Sequence, residues 1–472
     1  MSAAADLPVV AIIGGGFTGA STAFHLARAL NTPARIVVIE PRAQLGQGLA
    51  YATRDPSHRI NVPAVRMTMG SAAPGGLQTW IEAQRPALSA GTQLATGELF
   101  VQRGLVGEYV AGALAPLLAA GRVEHLRARA VTLARGARFT LGCDDGRRLV
   151  ADLVVLATSH PPPGVPAVFA PLAGSDRLIA DSSDGARLTA LARSRARTVL
   201  IVGTGLTSAD VIASLDRQGF SGRIVALSRR GLRSRGHAFG HPDSPADFAA
   251  DPARTALALL RRIRAAVRAD AAAGLPWQAA LDNVRRDGPA IWAALPPVER
   301  ARLVRRLRVW WDVHRFRIAP QLEAVIERRL AEGRLAIVAG RLLSAQESEA
   351  GIEVQWRGRG AGPGHARFDA VILTTGPAHG AIVHEMPLFA AMAAAGLIRA
   401  DALQLGLDVT EGCRAVGQDG RPVPGLFVAG PLARGHVGEL MGIPEVTQHA
   451  ELVAARLAQA LAGRVHPVTQ SA

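Results

Sequence analysis

Short apolar runs with almost no polar interruption recur along the chain, several of them closing on glycine. Val9-Val10-Ala11-Ile12-Ile13 leads into Gly14, and Ile36-Val37-Val38-Ile39 leads into Glu40. Val199-Leu200-Ile201-Val202 leads into Gly203, and the run Arg223 to Ser228 leads into Arg229. Asp152 to Thr158, Ala370 to Gly376 and Gly425 to Gly430 have the same character. Unalternated runs of this length predict strands covered on both faces, as in a parallel sheet flanked by helices. Helical spacing predicts helices over Leu77–Arg85 and Leu105–Ala119, several more between Asp251 and Gly333, and one opening near Ile443-Pro444-Glu445, where proline suits the first turn. Alternation from Val123 to Val150, broken by Asp144-Asp145-Gly146, predicts short antiparallel strands, and further strands are expected at Leu335–Val338 and Ile352–Gln355. Leu45 to Gly76 reads as loop, and Pro161 to Pro166 as a linker.

The strand-helix alternation defines an α/β fold. Its two strand-glycine-helix units predict two Rossmann-like dinucleotide-binding domains, the NAD(P)-binding one inserted into the FAD-binding one and itself carrying a helical insertion. On this reading residues 1–165 begin the FAD-binding domain. Residues 176–376 form the NAD(P)-binding domain with helices at about 251–333, and residues 377–472 return to the first.

The two glycine-rich turns carry the chemistry. The first reads Gly14-Gly15-Gly16-Phe17-Thr18-Gly19 and is followed by Glu40; the second reads Gly203-Thr204-Gly205-Leu206-Thr207-Ser208 and is followed by Arg229 and Arg230. In such a turn the first glycine permits the sharp bend, the second lets backbone approach a pyrophosphate, and the third allows the helix to lie close to the sheet. The helix N-terminus then faces the phosphates with unpaired N–H groups. An acid at the tip of the second strand accepts hydrogen bonds from ribose hydroxyls, whereas an arginine there suits a 2′-phosphate. Gly14, Gly16, Gly19 and Glu40 therefore point to FAD. Gly203, Gly205, Ser208, Arg229 and Arg230 point to a nicotinamide coenzyme, the arginines favouring NADPH over NADH.

Composition narrows the alternatives. At 472 residues, nearly half of them apolar, the chain is long enough for two or three domains. No run has the uncharged length of a membrane span, and no basic segment precedes an apolar core at the N-terminus, so a soluble cytoplasmic protein is expected. Cys143 and Cys413 are the only cysteines and form no CxxC pair, which argues against a dithiol relay. His237 and His241 have a ligand spacing, but Gly240 and Pro242 and the lack of a carboxylate partner argue against a metal site. The net charge of +15 is carried overwhelmingly by arginines spread along helices without aromatic interleaving; this favours an anionic small molecule over nucleic acid. A homo-oligomer is left open.

Beyond the fingerprints, Gly46-Gln47-Gly48-Leu49-Ala50-Tyr51, Ile60-Asn61-Val62-Pro63-Ala64, Ser228-Arg229-Arg230-Gly231-Leu232 and Trp311 to Pro320 resemble a bacterial family of two-dinucleotide-binding-domain flavoproteins that includes a flavin-dependent urate hydroxylase and an aspartate N-hydroxylase. The likeness runs over essentially the whole chain. It implies an FAD-dependent monooxygenase using NAD(P)H and O2, with urate as first expectation and N-hydroxylation of an amino acid or small amine as the alternative. A non-catalytic flavin-binding redox sensor is a third reading. The chain departs from the wider flavoprotein pattern in two places, Ala157-Thr158-Ser159-His160 at a crossover and Gly430-Pro431 near the expected ribityl chain. An anionic substrate calls for arginine. Arg434, His436 and Arg317 are the candidate catalytic residues, and Asn61, His314 and Arg315 the candidate substrate contacts. Gly430 belongs with the flavin contacts.

Overall fold

The computed structural model describes residues 7–72, 75–158, 161, 163–358, 363–376 and 379–465. The Ser159-His160 end of the first crossover lies outside them. Two large sheets organise the rest, beside a small antiparallel sheet of Ala130–Arg135, Phe139–Cys143 and Arg148–Ala151. Across the first, the strands run in the order Arg414–Val416, Pro422–Val428, Leu153–Leu156, Val9–Ile13, Arg35–Ile39 and Glu124–Leu126. All neighbours are parallel except the first pair. The second sheet runs Leu178–Ile179, Ala370–Leu373, Thr198–Val202, Arg223–Ser228, Leu335–Ser348, Gly351–Gly358 and Pro363–Phe368. Its first five strands are parallel and the last three form an antiparallel meander. Every strand of the second sheet falls in sequence between Leu153–Leu156 and Arg414–Val416 of the first, so one nucleotide fold is nested in the other.

Side chains explain the difference between sheet centres and edges. Val9–Ile13 and Leu153–Leu156 are buried at every position, as unalternated runs require. Leu335–Ser348 is longer than the expected Leu335–Val338. Leu335 to Ala339 pair in parallel with Ile224 to Ser228, and Gly340 to Ser348 run past that strand to pair antiparallel with Gly351–Gly358. That outer half is partly exposed and rich in polar residues, so it lacks the signature of a strand covered on both faces.

Helices Ala256–Ala272, Trp277–Arg286, Gly288–Ala294, Pro297–Arg306 and Arg308–Arg315 make up the insertion and close on a small core of Phe248, Leu259, Val284, Ile291 and Leu295. The main core is continuous across both nucleotide folds, from Ile12, Val38, Val155 and Phe427 to Ile201, Ile212 and Ile224. Polar contacts add a latch between them. The Ser214 hydroxyl, on the helix Leu206–Arg217, donates to Asp55 Oδ2 at 2.6 Å and lies 2.9 Å from His58 Nε2. Since that hydroxyl hydrogen is committed to Asp55, His58 Nε2–H donates to Ser214, and His58 Nδ1 accepts from Thr53 at 2.9 Å. Arg103 pairs with Asp210 alongside, at 2.7 Å. Among the described residues no helix is long and apolar enough to cross a membrane.

Candidate active site

The two fingerprints fold alike. Gly14 N–H donates to Ile39 O at 2.9 Å, and Gly203 N–H donates to Leu227 O at 2.8 Å, each tying the turn to the next strand. Both glycines have positive φ, 98° and 124°. A Cβ would stand 2.6 Å from Ala157 O at the first and 2.5 Å from Thr374 O at the second, so both turns press against the end of a crossover strand. The third position separates them. A Cβ on Gly19 would run into Gly14 O, whereas the equivalent Ser208 is accommodated at 2 % exposure. The second helix therefore tolerates a side chain where the first does not.

Glu40 sits at the first strand tip, 4 % exposed. Its Oε2 accepts Gly15 N–H at 2.9 Å, and its Oε1 accepts from Arg42, backbone and guanidinium, at 3.1 and 3.0 Å. A carboxylate fixed in this way against the glycine turn fits an adenosine ribose. The buried Thr158 hydroxyl has no partner among the described residues, and the Thr158 backbone presses on Gly14. Gly430, at the end of the returning strand, meets the first turn of the helix Phe17–Ala29, where a Cβ would stand 2.5 Å from Thr18 Oγ1. Its N–H donates to His449 Nδ1 at 3.1 Å, which leaves His449 Nε2–H facing Cys413 Sγ at 3.7 Å. Burial pulls the His449 imidazole down to about 4, consistent with a neutral ring that accepts from Gly430.

In the second cradle Gly205 borders open space; Thr204 Oγ1 donates to Leu232 O, so Ser228 Oγ donates to Thr204 Oγ1 at 2.8 Å and accepts Gly231 N–H at 3.0 Å. Arg229 and Arg230 leave the strand tip exposed. Arg230 rests over the Trp310 ring, 5.8 Å from its centroid.

Between the cradles the returning chain meets the helical insertion. Trp292 Nε1–H donates to Gly435 O at 3.1 Å, and Trp311 Nε1–H to Glu439 at 3.3 Å. Arg315 pairs with Glu439 at 3.0 Å and Glu445 at 3.5 Å, Arg285 with Glu445 at 2.6 Å, and Arg308 with Asp312 at 3.3 Å. Arg434 lies among them, 5 % exposed, its Nε without a partner among the described residues. Burial lowers the affinity of Arg434 and Arg315 for their protons and raises the Asp312 carboxyl; burial also works to raise Glu445, but Arg285 and Arg315 hold it below its ordinary value. Four arginines, 285, 308, 315 and 434, face three carboxylates, 312, 439 and 445, so this group, buried around Arg315, Arg434 and Glu439 and partly exposed at Arg308 and Asp312, carries one excess positive charge with every member ionised.

The predicted substrate and catalytic residues distribute unevenly around this group. Arg434 and Arg315 are in it. Arg317 is next to it but committed, with both guanidinium ends on Asp282 at 2.9 and 3.0 Å and Trp277 stacked at 5.4 Å. His314 bonds the Trp310 carbonyl at 2.7 Å and meets the edge of Trp277. His436 is exposed on the short helix Arg434–Val437. Asn61 has a buried Oδ1 without a partner among the described residues, while its carbonyl accepts from His237 Nε2 at 3.0 Å. His237 stacks on Phe239 and His241 bonds Pro242 O; among the described residues no cluster suited to a metal occurs. Sequence reasoning passed over Arg285, Arg308, Asp312, Glu439 and His449. Their signal is weak, because ordinary helix-face charges have the same spacing.

Residues 11–161 match a family model described as FAD-NAD(P)-binding. A search of curated protein sequences returns no match. Among solved structures, L-lysine 6-monooxygenase from Pseudomonas syringae superimposes with a TM-score of 0.65 at 16% identity, over 98% of this chain and 100% of that one. The reduced ornithine hydroxylase of Pseudomonas aeruginosa gives 0.63 at 16%, over 96% and 99%. The cadaverine monooxygenase of Erwinia amylovora, bound to FAD, gives 0.59 at 14%, over 99% and 97%. At such identities the likeness establishes the fold. It is an architecture of two nested dinucleotide-binding folds, and the family match, which takes in the first cradle, is to FAD-NAD(P)-binding proteins.

Proposed function

We propose that the protein is an FAD-dependent monooxygenase that hydroxylates the nitrogen of a small amino substrate bearing a carboxylate, with NADPH as electron donor. The observation that carries this reading is Arg434, buried with a free Nε within a group that is one positive charge in excess. A buried cation gains most from a bound anion, because leaving it unpaired costs several kcal/mol, on the order of 3–5. The substrate carboxylate thus takes the place of the missing negative charge. Arg434 binds it, Arg315 is held by Glu439 and Glu445 as a fixed wall, and Asn61 Oδ1 offers an acceptor for an amine N–H.

In the first cradle, Glu40 and the turn Gly14 to Gly19 hold FAD, which supplies the capacity to accept hydride and activate oxygen. In the second, Arg229 takes the 2′-phosphate of the donor. The role of this chain is to orient both and to keep water from the substrate: Trp292 and Trp311 close the wall between the insertion and the Gly435–Glu439 segment. The named activities of the solved neighbours, on ornithine, lysine and cadaverine, support N-hydroxylation. The urate reading draws no support from them.

The test is NADPH oxidation by the FAD-loaded enzyme with aspartate, glutamate, ornithine, lysine, cadaverine and urate, with hydroxylamine and peroxide measured separately. A carboxylate-bearing amine should stimulate oxidation coupled to hydroxylamine, while cadaverine, lacking the carboxylate, should give mainly peroxide. Arg434→Ala should weaken substrate binding by roughly 10- to 100-fold with NADPH binding unchanged. Coupled turnover of urate with no amine active would overturn the proposal.

A further inference from the structure

Trp310, on the insertion helix Arg308–Arg315, is 42% exposed, and no other Phe, Tyr or Trp of the described residues is as open to solvent. It lies against Arg230, two residues past the end of the strand Arg223–Ser228, the edge on which a second dinucleotide would place its adenosine ribose. Two exposed arginines follow that tip, and neither Arg229 nor Arg230 has a carboxylate partner among the described residues. Their arginine neighbours differ in this: Arg233 pairs with Glu327 and Arg308 with Asp312. The tip itself is rigid, because Ser228 Oγ is bonded by both Thr204 and Gly231. One of the two arginines is steered, Arg230 lying over the indole at 5.8 Å. Trp310 in turn is backed by His314, whose ring nitrogen bonds its carbonyl at 2.7 Å and whose own ring packs on Trp277 at 4.9 Å.

We infer that Trp310 is a positioning residue for coenzyme choice: it holds the Arg230 guanidinium at the strand tip so that Arg229 and Arg230 form a prearranged receptor for a ribose 2′-phosphate. This rests on the reading of the second cradle as an NADPH site. An unrestrained arginine carries rotamer freedom that phosphate binding must quench. An exposed cation–π contact removes part of that freedom in advance. The benefit falls on coenzymes with a 2′-phosphate alone, since NADH offers Arg230 nothing to grip. The helical insertion thereby contributes to both ends of the reaction, with Arg315 toward the substrate and Trp310 toward the coenzyme.

The experiment is calorimetric binding of NADP+ and NAD+ to the FAD-loaded protein in wild type, Trp310→Ala, Trp310→Phe, Arg230→Ala and the double variant Trp310→Ala/Arg230→Ala, each checked for an unchanged flavin spectrum. Trp310→Ala should reduce the NADP+ over NAD+ preference about two- to fivefold, leaving NAD+ affinity in place. Trp310→Phe, which keeps an aromatic face, should restore most of it. In the Arg230→Ala background the tryptophan substitution should have no further effect, as coupled residues require. If the wild type does not discriminate between the two coenzymes, the NADPH reading itself falls and takes this inference with it. If the wild type discriminates and Trp310→Ala keeps the full ratio, or weakens both coenzymes equally, the inference alone is overturned.

Discussion

Single residues at the first cradle make the clearest commitments. Glu40 is buried and already bonded to Gly15 N–H, so its carboxylate needs no rearrangement to accept ribose hydroxyls. Its replacement removes charge-assisted hydrogen bonds worth roughly 1.5–3 kcal/mol. Glu40→Ala should accordingly weaken FAD binding by about 10- to 100-fold in an apoprotein reconstitution followed by flavin fluorescence. A reconstitution curve matching the wild type would show that the carboxylate faces no ribose. Gly19 is the complementary case: the collision of its would-be Cβ with Gly14 O makes glycine obligatory, whereas Ser208 shows that the same position in the second cradle is not so constrained.

At the scale of elements, the fold depends on how the helix Leu206–Arg217 is joined to the loop around Asp55. The Ser214 hydroxyl is fully buried and serves two partners, Asp55 and His58. Ser214→Ala would strand the His58 N–H and an Asp55 oxygen away from water, at a cost of about 1–3 kcal/mol per unsatisfied group. Urea unfolding should show a lower midpoint of that order. Ser57→Ala, which removes a contact within the loop at 2.5 Å, should shift it less. Equal midpoints for Ser214→Ala and wild type would mean the latch adds nothing to stability.

For the molecule as a whole, buried titratable groups set the acid limit. His237 and His449 are each drawn down by burial to about 4 from 6.5. Between those values the unfolded chain binds protons on both imidazoles and the folded one does not, so stability declines as pH falls from about 6.5 to about 4. Burial alone would raise Asp55, but its bonds to Ser214, Ser57 and Arg217 hold it at about 2 against 3.8, so its contribution is present above 3.8 and lost on going down to about 2. Thermal unfolding from pH 3 to 8 should therefore be level near neutrality and fall below pH 6.5, and His449→Gln should flatten the part between 6.5 and 4. A slope unchanged by that substitution would contradict a neutral His449.

The sequence determined what depends on local chemistry. Both glycine turns, the acid and base at their strand tips, the buried parallel strands and the helical insertion are all written in short-range patterns, because backbone bends and two-sided burial restrict residue types within a few positions. Tertiary structure decided what depends on distant segments meeting. Arg434 and Arg315 lie 119 residues apart in sequence, and only their burial together with Asp312, Glu439 and Glu445 distinguishes them from surface charges. Arg317, with an equally suggestive position in sequence, is instead satisfied by Asp282. Trp310 likewise gains meaning only from the Arg230 brought over it. Charge and aromatic side chains act through space, and a linear pattern records their presence without recording what faces them.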